Sequence, residues 1–165
     1  MKVAVITVSD SVVRGERQDA SGTMIAAWAR SKNHEVVSTV TCPDESVEIV
    51  RALLAACDDH NAELVLTTGG TGLAERDVTP EATRAVVERE SEGIAERIRV
   101  IALPMFAPAA LGRGIAGVRG KSLIINLPGS AMAVRDGILA LEPIVQHACD
   151  VLSGRVTEHA TGAVK

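Results

Sequence analysis

The chain has 165 residues, of which 47% are hydrophobic, and these numbers suit one ordinary domain with a single sizeable core. The formal net charge of −4 provides no cationic surface for a polyphosphate backbone. One Trp, one Phe and no Tyr also leave few rings for stacking on bases. We therefore expect no nucleic-acid partner, and we expect any anion to be held locally.

The cysteines favour a reducing compartment. They are odd in number, widely separated and without a C-x-x-C pair, so neither a disulfide framework nor a zinc site is indicated. The apolar run at residues 1–6 is too short to span a membrane. We expect a cytoplasmic protein without a membrane segment.

The first part of the chain alternates strand and helix patterns. Residues 2–8 are nearly all apolar, which predicts a strand covered on both faces, and the polar residues 9–20 predict a loop. Ser21-Gly22 then opens a predicted helix that runs to about Lys32, and residues 35–42 are typical of the next strand. This order is the start of a βαβ unit.

The middle of the chain continues the alternation. Apolar residues at helical spacing predict a second helix from Pro43-Asp44 to Cys57, and residues 63–67 predict the third strand. Thr79-Pro80 is typical of a helix start, and we expect one helix to about Arg89 and another over residues 91–101.

The last part of the chain begins with residues 103–111, which are too apolar for an exposed loop and predict a pocket wall or a subunit contact. Residues 114–119 and 121–127 flank a single glycine and predict a hairpin, hence one antiparallel strand. A final helix is predicted over residues 130–152, and residues 153–165 are interpreted as a tail.

Together these elements predict a three-layer α/β/α sandwich with a mainly parallel sheet, forming one domain over residues 1–152. In such folds, ligands bind where loops leave the carboxyl ends of strands. Four segments leave strands in this sense and should meet at one edge: Ser9-Asp10, Pro43-Asp44, the glycine loop at residues 69–72, and residues 126–130.

The glycine loop, Gly69-Gly70-Thr71-Gly72, follows a buried strand directly. Glycines let the backbone approach a ligand and point several N–H groups at it, which suits a phosphate or another anion. The loop lacks the Lys-Ser/Thr of a P-loop and the G-x-G-x-x-G spacing of a dinucleotide fold. A tight turn without a ligand is the alternative interpretation, because glycine is the default residue of strained turns.

Three acidic residues are expected at the same edge. Asp77 lies just before Thr79, which can cap the following helix, and Asp44 can itself be a helix cap, so each alone admits a structural role. With Asp10, however, they offer three carboxylates, and carboxylate oxygens are ligands that Mg²⁺ accepts.

Ser130 follows the strand end Asn126-Leu127-Pro128-Gly129 and is placed to cap the last helix, whose first-turn amides would be free for an anion. An ordinary capped helix explains the same pattern. Four basic residues offer partners for phosphates, and the first ranks highest because of its neighbours: Arg76, Arg113, Arg119 and Lys121. The histidines show no metal-ligand spacing, and no Ser/His/Asp or Cys/His set can be assembled.

These motifs together resemble the MogA/MoaB family of molybdenum cofactor biosynthesis proteins. The resemblance covers residues 2–152 and rests on Thr7 to Asp10, Thr67 to Gly72, Arg76 to Ala82, and Leu127 to Ser130. It implies a three-layer α/β fold and assembly as trimers or hexamers. It also implies the use of Mg-ATP to adenylylate molybdopterin, with a molybdenum-insertion protein as a further candidate partner.

By this resemblance, Asp44 and Asp77 match the two acidic positions that the activity needs, and we expect them to be catalytic and to hold Mg²⁺. The implied reaction is attack of the pterin's terminal phosphate on the α-phosphorus of ATP, which expels pyrophosphate. The expected nucleotide and pterin contacts are Ser9, Asp10, Thr68, Gly69, Gly70, Thr71, Gly72, Arg76, Pro128, Gly129 and Ser130.

The chain departs from the family pattern at two places, since Gly112 stands where relatives often have Ser, and Ala131 where many have Pro. Two alternatives stay open. One is a MoaB-type protein that binds the pterin with little or no catalysis, which the run at residues 118–121 favours. The other is a scaffold of the kind formed by gephyrin's G domain. Both Asp44 and Asp77 are present, and this favours the enzyme.

Overall fold

Six strands form one mixed sheet in this computed structural model, which describes residues 1–156. The strands are β1 (Lys2–Val8), β2 (Glu35–Cys42), β3 (Leu64–Thr68), β4 (Arg89–Glu90), β5 (Ala116–Arg119) and β6 (Ser122–Leu127). Their order across the sheet is β2-β1-β3-β6-β5-β4. The first four of these are parallel, whereas β5 is antiparallel to both β6 and β4. The predicted β5–β6 hairpin and the mainly parallel sheet are confirmed.

Helices cover both faces of this sheet. Within the described residues they are α1 (Asp10–Val13), α2 (Ala20–Ser31), α3 (Ser46–Leu54), α4 (Thr79–Arg84), α5 (Glu92–Ala102), α6 (Ala131–Leu141) and α7 (Val145–Ser153). A π-helical turn, Ala55–Asp59, extends α3, and a 3₁₀ helix, Ala107–Leu111, precedes β5. No helix of residues 1–156 has the length and apolar character needed to cross a membrane.

The side chains of β1 show why the strand is apolar throughout. Val3 and Val5 pack into a core with α2, α5, α6 and α7, whereas Ala4 and Ile6 pack into a second core with α3 and α4. Alternate residues of a strand point to opposite faces, so a strand covered on both sides needs apolar residues at every position. The predicted three layers are confirmed.

The single helix predicted over residues 130–152 is wrong, because the chain forms α6 and α7 with a break at Pro143. Proline lacks the N–H that a helix needs, and its ring clashes with the carbonyl four residues earlier. At the break, Glu142 accepts a hydrogen bond from Trp28 Nε1 at 3.0 Å and pairs with Lys32 at 3.0 Å. These contacts fix the break against the end of α2.

The predicted helix from Thr79 to Arg89 is also too long, since α4 ends at Arg84 and residues 89–90 form β4. The backbone N–H of Glu88 donates to the carbonyl of Val118 at 2.8 Å, at the open edge of β5. A strand edge about 30 residues away in sequence therefore supplies a partner that local patterning does not show.

Three smaller differences concern element ends. The predicted loop at residues 9–20 contains α1, and α2 begins at Ala20, where the Asp19 carboxylate accepts the N–H of Gly22. The second helix begins at Ser46 rather than at Pro43. Gly154 has a φ of 76° and ends α7. Most of the predicted tail, residues 157–165, lies outside the described residues.

Candidate functional site

The glycine loop joins β3 to a segment that returns along the carboxyl edge of the sheet. Gly69 and Gly70 have φ values of 96° and 61°, in the left-handed region that favours glycine. A Cβ on Gly69 would overlap the carbonyl oxygen of Val8. Within residues 1–156, the N–H groups of Gly70, Thr71 and Gly72 donate to no protein acceptor. The strained turn thus leaves three consecutive N–H groups for a ligand.

The loop borders a cavity of about 660 Å³. The end of α6 contributes Ser130, whose hydroxyl accepts the N–H of Ala133 at 3.2 Å and so caps the helix as predicted. The polar end of the cavity is lined by Gly70, Thr71, Gly72, Asp77, Asn126, Pro128, Gly129 and Ser130. Positive helix ends and unpaired amides attract anions, so this end suits phosphate groups.

Much of the remaining wall of the cavity is apolar. It includes Ile98 and Ala102 of α5 and Met132 of α6. The apolar segment predicted over residues 103–111 adds Phe106, Pro108, Ala109 and Leu111, and the charged residues Arg99 and Asp136 also line the cavity. Its prediction as a pocket wall is confirmed. The cavity therefore joins unpaired amides to an apolar wall, a combination that suits a phosphorylated ring compound.

Asp44 and Asp77 flank the glycine loop. The Oδ1 atom of Asp44 lies 3.2 Å from where a Cβ of Gly70 would stand, and the Oδ2 atom of Asp77 lies 2.7 Å from the equivalent position at Gly72. Each carboxylate accepts one backbone N–H through Oδ2, Asp44 from Asp10 at 2.8 Å and Asp77 from Ala74 at 2.9 Å. In the described part of the chain, both Oδ1 atoms lack a hydrogen-bond donor.

Neither of the predicted caps at these acidic residues forms. The residue that precedes α3 is Glu45, so Asp44 is not its cap. Val78, not Thr79, precedes α4, and the buried Thr79 hydroxyl instead donates to the carbonyl of Gly69 at 3.0 Å. Asp44 is therefore oriented by its hydrogen bond from the Asp10 N–H and not by the start of α3.

Asp10 is hydrogen-bonded to Asp44 and does not form a metal-binding group with it. Each residue donates its backbone N–H to the carboxylate of the other. The N–H of Asp44 donates to Asp10 Oδ1 at 3.1 Å, and the N–H of Asp10 donates to Asp44 Oδ2 at 2.8 Å. Arg76 donates to both Asp10 oxygens, at 2.8 and 3.1 Å. The Arg76 hydrogen bonds, helped by the Asp44 amide, lower the pKa of Asp10. Burial raises the pKa of the Asp44 carboxyl, and the charges of Asp10 and Asp77 add to this effect.

The three-carboxylate group expected from Asp10, Asp44 and Asp77 does not form, because Asp10 is turned towards Arg76. Across residues 1–156, no three His, Cys, Asp or Glu side chains come together as a metal-binding group. What the site does present is two carboxylates, Asp44 and Asp77, each with one oxygen available. A cation held there would need further oxygen ligands from a phosphate or from water.

Three other predicted site residues make contacts within the loops instead of lining the cavity. Thr68 is buried, and its hydroxyl donates to the carbonyl of Pro128 at 2.7 Å, so it joins the loops after β3 and β6. Ser9 accepts the N–H of Val12 and caps α1. Arg76, which ranked first among the basic residues in the sequence, forms an ion pair with Asp10.

Sequence reasoning missed the roles of Asn126 and Arg113. The Asn126 amide lines the cavity, donates to the hydroxyls of Thr67 and Thr83 at 3.0 and 2.9 Å, and accepts the N–H of Ile115. A single amide inside the apolar β6 sequence was the available signal. Arg113 contacts the glycine loop directly, and only the tertiary structure shows this.

Comparison with known proteins agrees with this geometry. Residues 4–147 match the family described as "Probable molybdopterin binding domain". The chain is 36% identical over 159 residues to the molybdopterin adenylyltransferase of Helicobacter pylori, which covers 92% of this chain and 88% of that protein.

Two solved structures share the fold. The molybdopterin biosynthesis enzyme MoaB from Thermus thermophilus has a TM-score of 0.88 and 44% identity, covering 93% of this chain and 96% of the other. The molybdopterin biosynthesis Mog protein from Mycobacterium ulcerans has a TM-score of 0.86 and 35% identity, with coverage of 92% and 98%. The family match and these relatives place the chain in the MogA/MoaB family of molybdopterin-binding domains.

Proposed function

We propose that this protein adenylylates molybdopterin with ATP, as part of molybdenum cofactor biosynthesis. One observation carries the proposal: the three unpaired N–H groups of the glycine loop lie beside two carboxylates that each have an available oxygen. Asp77 lines the cavity, and Asp44 Oδ1 lies 3.2 Å from where a Cβ of Gly70 would stand. Transfer between two phosphates needs both an anion-binding backbone and a way to neutralise charge. The names of the relatives, including a molybdopterin adenylyltransferase, support the same reaction.

In the proposed reaction, an oxygen of the pterin's terminal phosphate attacks the α-phosphorus of ATP. A new P–O bond forms there, the bond between the α-phosphorus and the bridging oxygen breaks, and pyrophosphate leaves with the electron pair. The chain's own part is to bring two anions together and align them. The amides of Gly70 to Gly72 and the amino end of α6 would hold phosphates, while the apolar wall excludes water.

Asp44 and Asp77 fit a bound Mg²⁺, because hard cations take carboxylate oxygens and both Oδ1 atoms are available. The ion would supply charge neutralisation at the phosphates. The hydrogen bonds that each Oδ2 accepts fix the carboxylates in position, and Asp10 with Arg76 fixes Asp44 from the other side. This arrangement would align the phosphates of ATP and of the pterin, and the reaction would need no nucleophilic side chain.

The test is an assay of pyrophosphate release with Mg-ATP and molybdopterin. We expect turnover by the wild type, and we expect Asp77→Asn to lose about 100-fold or more in kcat while it still binds the pterin. Asp58→Asn is the matched control, because Asp58 pairs with Arg119 away from the cavity. Equal turnover by Asp77→Asn and Asp58→Asn would contradict the role given to Asp77.

A second candidate function is binding of molybdopterin with little or no adenylylation. The run at residues 118–121 and the 44% identity to one MoaB structure favour it. The same assay separates the two functions. If the wild type binds the pterin but releases no pyrophosphate, the binding function replaces the enzymatic function as the proposal.

A further inference from the structure

Arg113 connects the two ends of the segment that follows the glycine loop. Its backbone N–H donates to the carbonyl of Thr71 at 2.9 Å, and its Nε donates to the carbonyl of Gly72 at 2.7 Å. Its Nη2 donates to the carbonyl of Asp77, and its Nη1 donates to the carboxylate of Glu81 on α4. One residue therefore contacts the chain at four places between residues 71 and 81.

Besides Arg113, this segment is tied to the rest of the chain by Arg76, which pairs with Asp10, and by Thr79. Residues 73–76 are exposed, and Leu73 has 65% of its surface accessible. The internal bonds of the segment, from Asp77 N–H to the Ala74 carbonyl and from Ala74 N–H to Asp77 Oδ2, hold its shape but not its place on the sheet. Its place therefore depends on Arg76, Thr79 and Arg113, and of these three only Arg113 donates to the carbonyls of both Gly72 and Asp77.

The chemistry of the guanidinium suits this task. Its five N–H donors point outward in one plane, so it can bond several acceptors in fixed directions at once. Three of the contacts of Arg113 use three different nitrogens, and two of their acceptors are backbone carbonyls. A lysine in this position would keep the charge near Glu81 but lose the fixed geometry.

Arg113 is also placed differently from a phosphate ligand. It lines a neighbouring cavity of about 680 Å³, which shares Gly112 and Gly114 with the first, and it is not among the residues that line the first cavity. We propose that Arg113 is a positioning residue, which fixes Asp77 and the amides of Gly70 to Gly72 for the reaction. The proposal rests on the proposed function for its effect on turnover, but its structural effect can be measured separately.

The experiment compares Arg113→Ala and Arg113→Lys with Arg119→Ala. Arg119 is a matched control because it is similarly exposed, at 29% against 35%, pairs with an acidic residue, Asp58, and flanks the other end of β5. The first measurement is amide hydrogen exchange of the folded proteins by mass spectrometry. We expect exchange over residues 73–79, where the N–H groups of Ala74, Asp77, Val78 and Thr79 are hydrogen-bonded, to become at least about tenfold faster in both Arg113 variants and to stay unchanged in Arg119→Ala.

The second measurement is turnover. We expect both Arg113 variants to lose about tenfold or more in kcat, with less than about a threefold change in pterin affinity. In an Asp77→Asn background, Arg113→Ala should cost little more, because the two residues would act as one unit. Additive losses, or a kcat like that of Arg119→Ala, would overturn the proposal.

The two measurements keep the proposals apart. If the wild type releases no pyrophosphate, the proposed function fails and hydrogen exchange alone decides the role of Arg113. Unchanged exchange over residues 73–79 overturns the positioning role whatever the turnover. Trp28 fluorescence checks that each variant is folded, and Arg113→Lys serves if Arg113→Ala does not fold.

Discussion

Replacing Gly70 with alanine should destabilise the protein for two separable reasons. The φ of 61° is unfavourable for a residue with a Cβ, by about 1–2 kcal/mol. The added Cβ would also overlap Thr79 Oγ1, because the two atoms would be less than 3.0 Å apart, a separation that Cβ atoms in proteins essentially never show. It would lie 3.2 Å from Asp44 Oδ1. The unfavourable φ (the φ term) and the steric overlap (the packing term) therefore both lower the unfolding free energy of Gly70→Ala.

The packing term follows from the surroundings of Thr79. Its side chain is fully buried, is β-branched and therefore stiff, and donates to the carbonyl of Gly69. Overpacking such a site costs about 1–3 kcal/mol. With the φ term, Gly70→Ala should lose about 2–5 kcal/mol of unfolding free energy, a large part of the roughly 5–15 kcal/mol of a typical domain.

Gly120→Ala is the matched control, because Gly120 has a φ of 54° but nothing within 4 Å of an added Cβ. It should lose only the φ term, about 1–2 kcal/mol. Urea unfolding followed by the fluorescence of Trp28, the single tryptophan, measures both variants. The reasoning is refuted if Gly70→Ala and Gly120→Ala lose the same free energy.

Two further predictions use the same unfolding measurement. Asn126→Ala should lose about 2–4 kcal/mol, because it leaves two buried threonine hydroxyls and one backbone N–H without their partner, whereas Gln146→Ala, an exposed amide, should lose little; similar values for the two would contradict the buried network. Burial raises the pKa of Cys149 to about 12 and that of Cys42 to about 11, above the value of about 8.5 for an unfolded thiol. The stabilisation from these protonated thiols is complete below about pH 8.5 and is lost as the pH rises through the folded pKa values, by up to about 1.4 kcal/mol per pH unit for each thiol. Cys149→Ala should reduce this alkaline slope, and a slope equal to that of the wild type would disprove the assignment.

The parts of the fold that depend on local chemistry could be predicted from the sequence. The continuous apolar run of β1 and the single glycine between β5 and β6 predict a two-sided strand and a hairpin, and both are confirmed. The break at Pro143 follows from an equally local rule, but apolar spacing continues on both sides of the proline and alone predicts one helix. β4 could not be predicted, because two residues become a strand only where the edge of β5 is open to them.

The site divides in the same way. The glycine loop and the serine cap at Ser130 are local patterns, and the structure brings both to one cavity. The exchange of hydrogen bonds between Asp10 and Asp44 spans 34 residues and requires the loops after β1 and β2 to meet. No sequence spacing shows that Arg76 turns to Asp10 while Arg113 turns to the loop.

The reversed direction of β5 has a consequence for how the cavity can change. Because β5 runs against β6, the chain enters it at the same edge of the sheet where β1, β3 and β6 end. The stretch from residue 103 to residue 115 therefore forms one wall of the cavity without belonging to any loop that leaves a strand. Substitutions in this stretch can reshape the apolar wall while the glycine loop and its acidic neighbours keep their sequence. Under the proposed function, residues 103–111 would govern ring selectivity and the glycine loop would govern phosphate binding, while Arg113, in the same stretch, would connect the two.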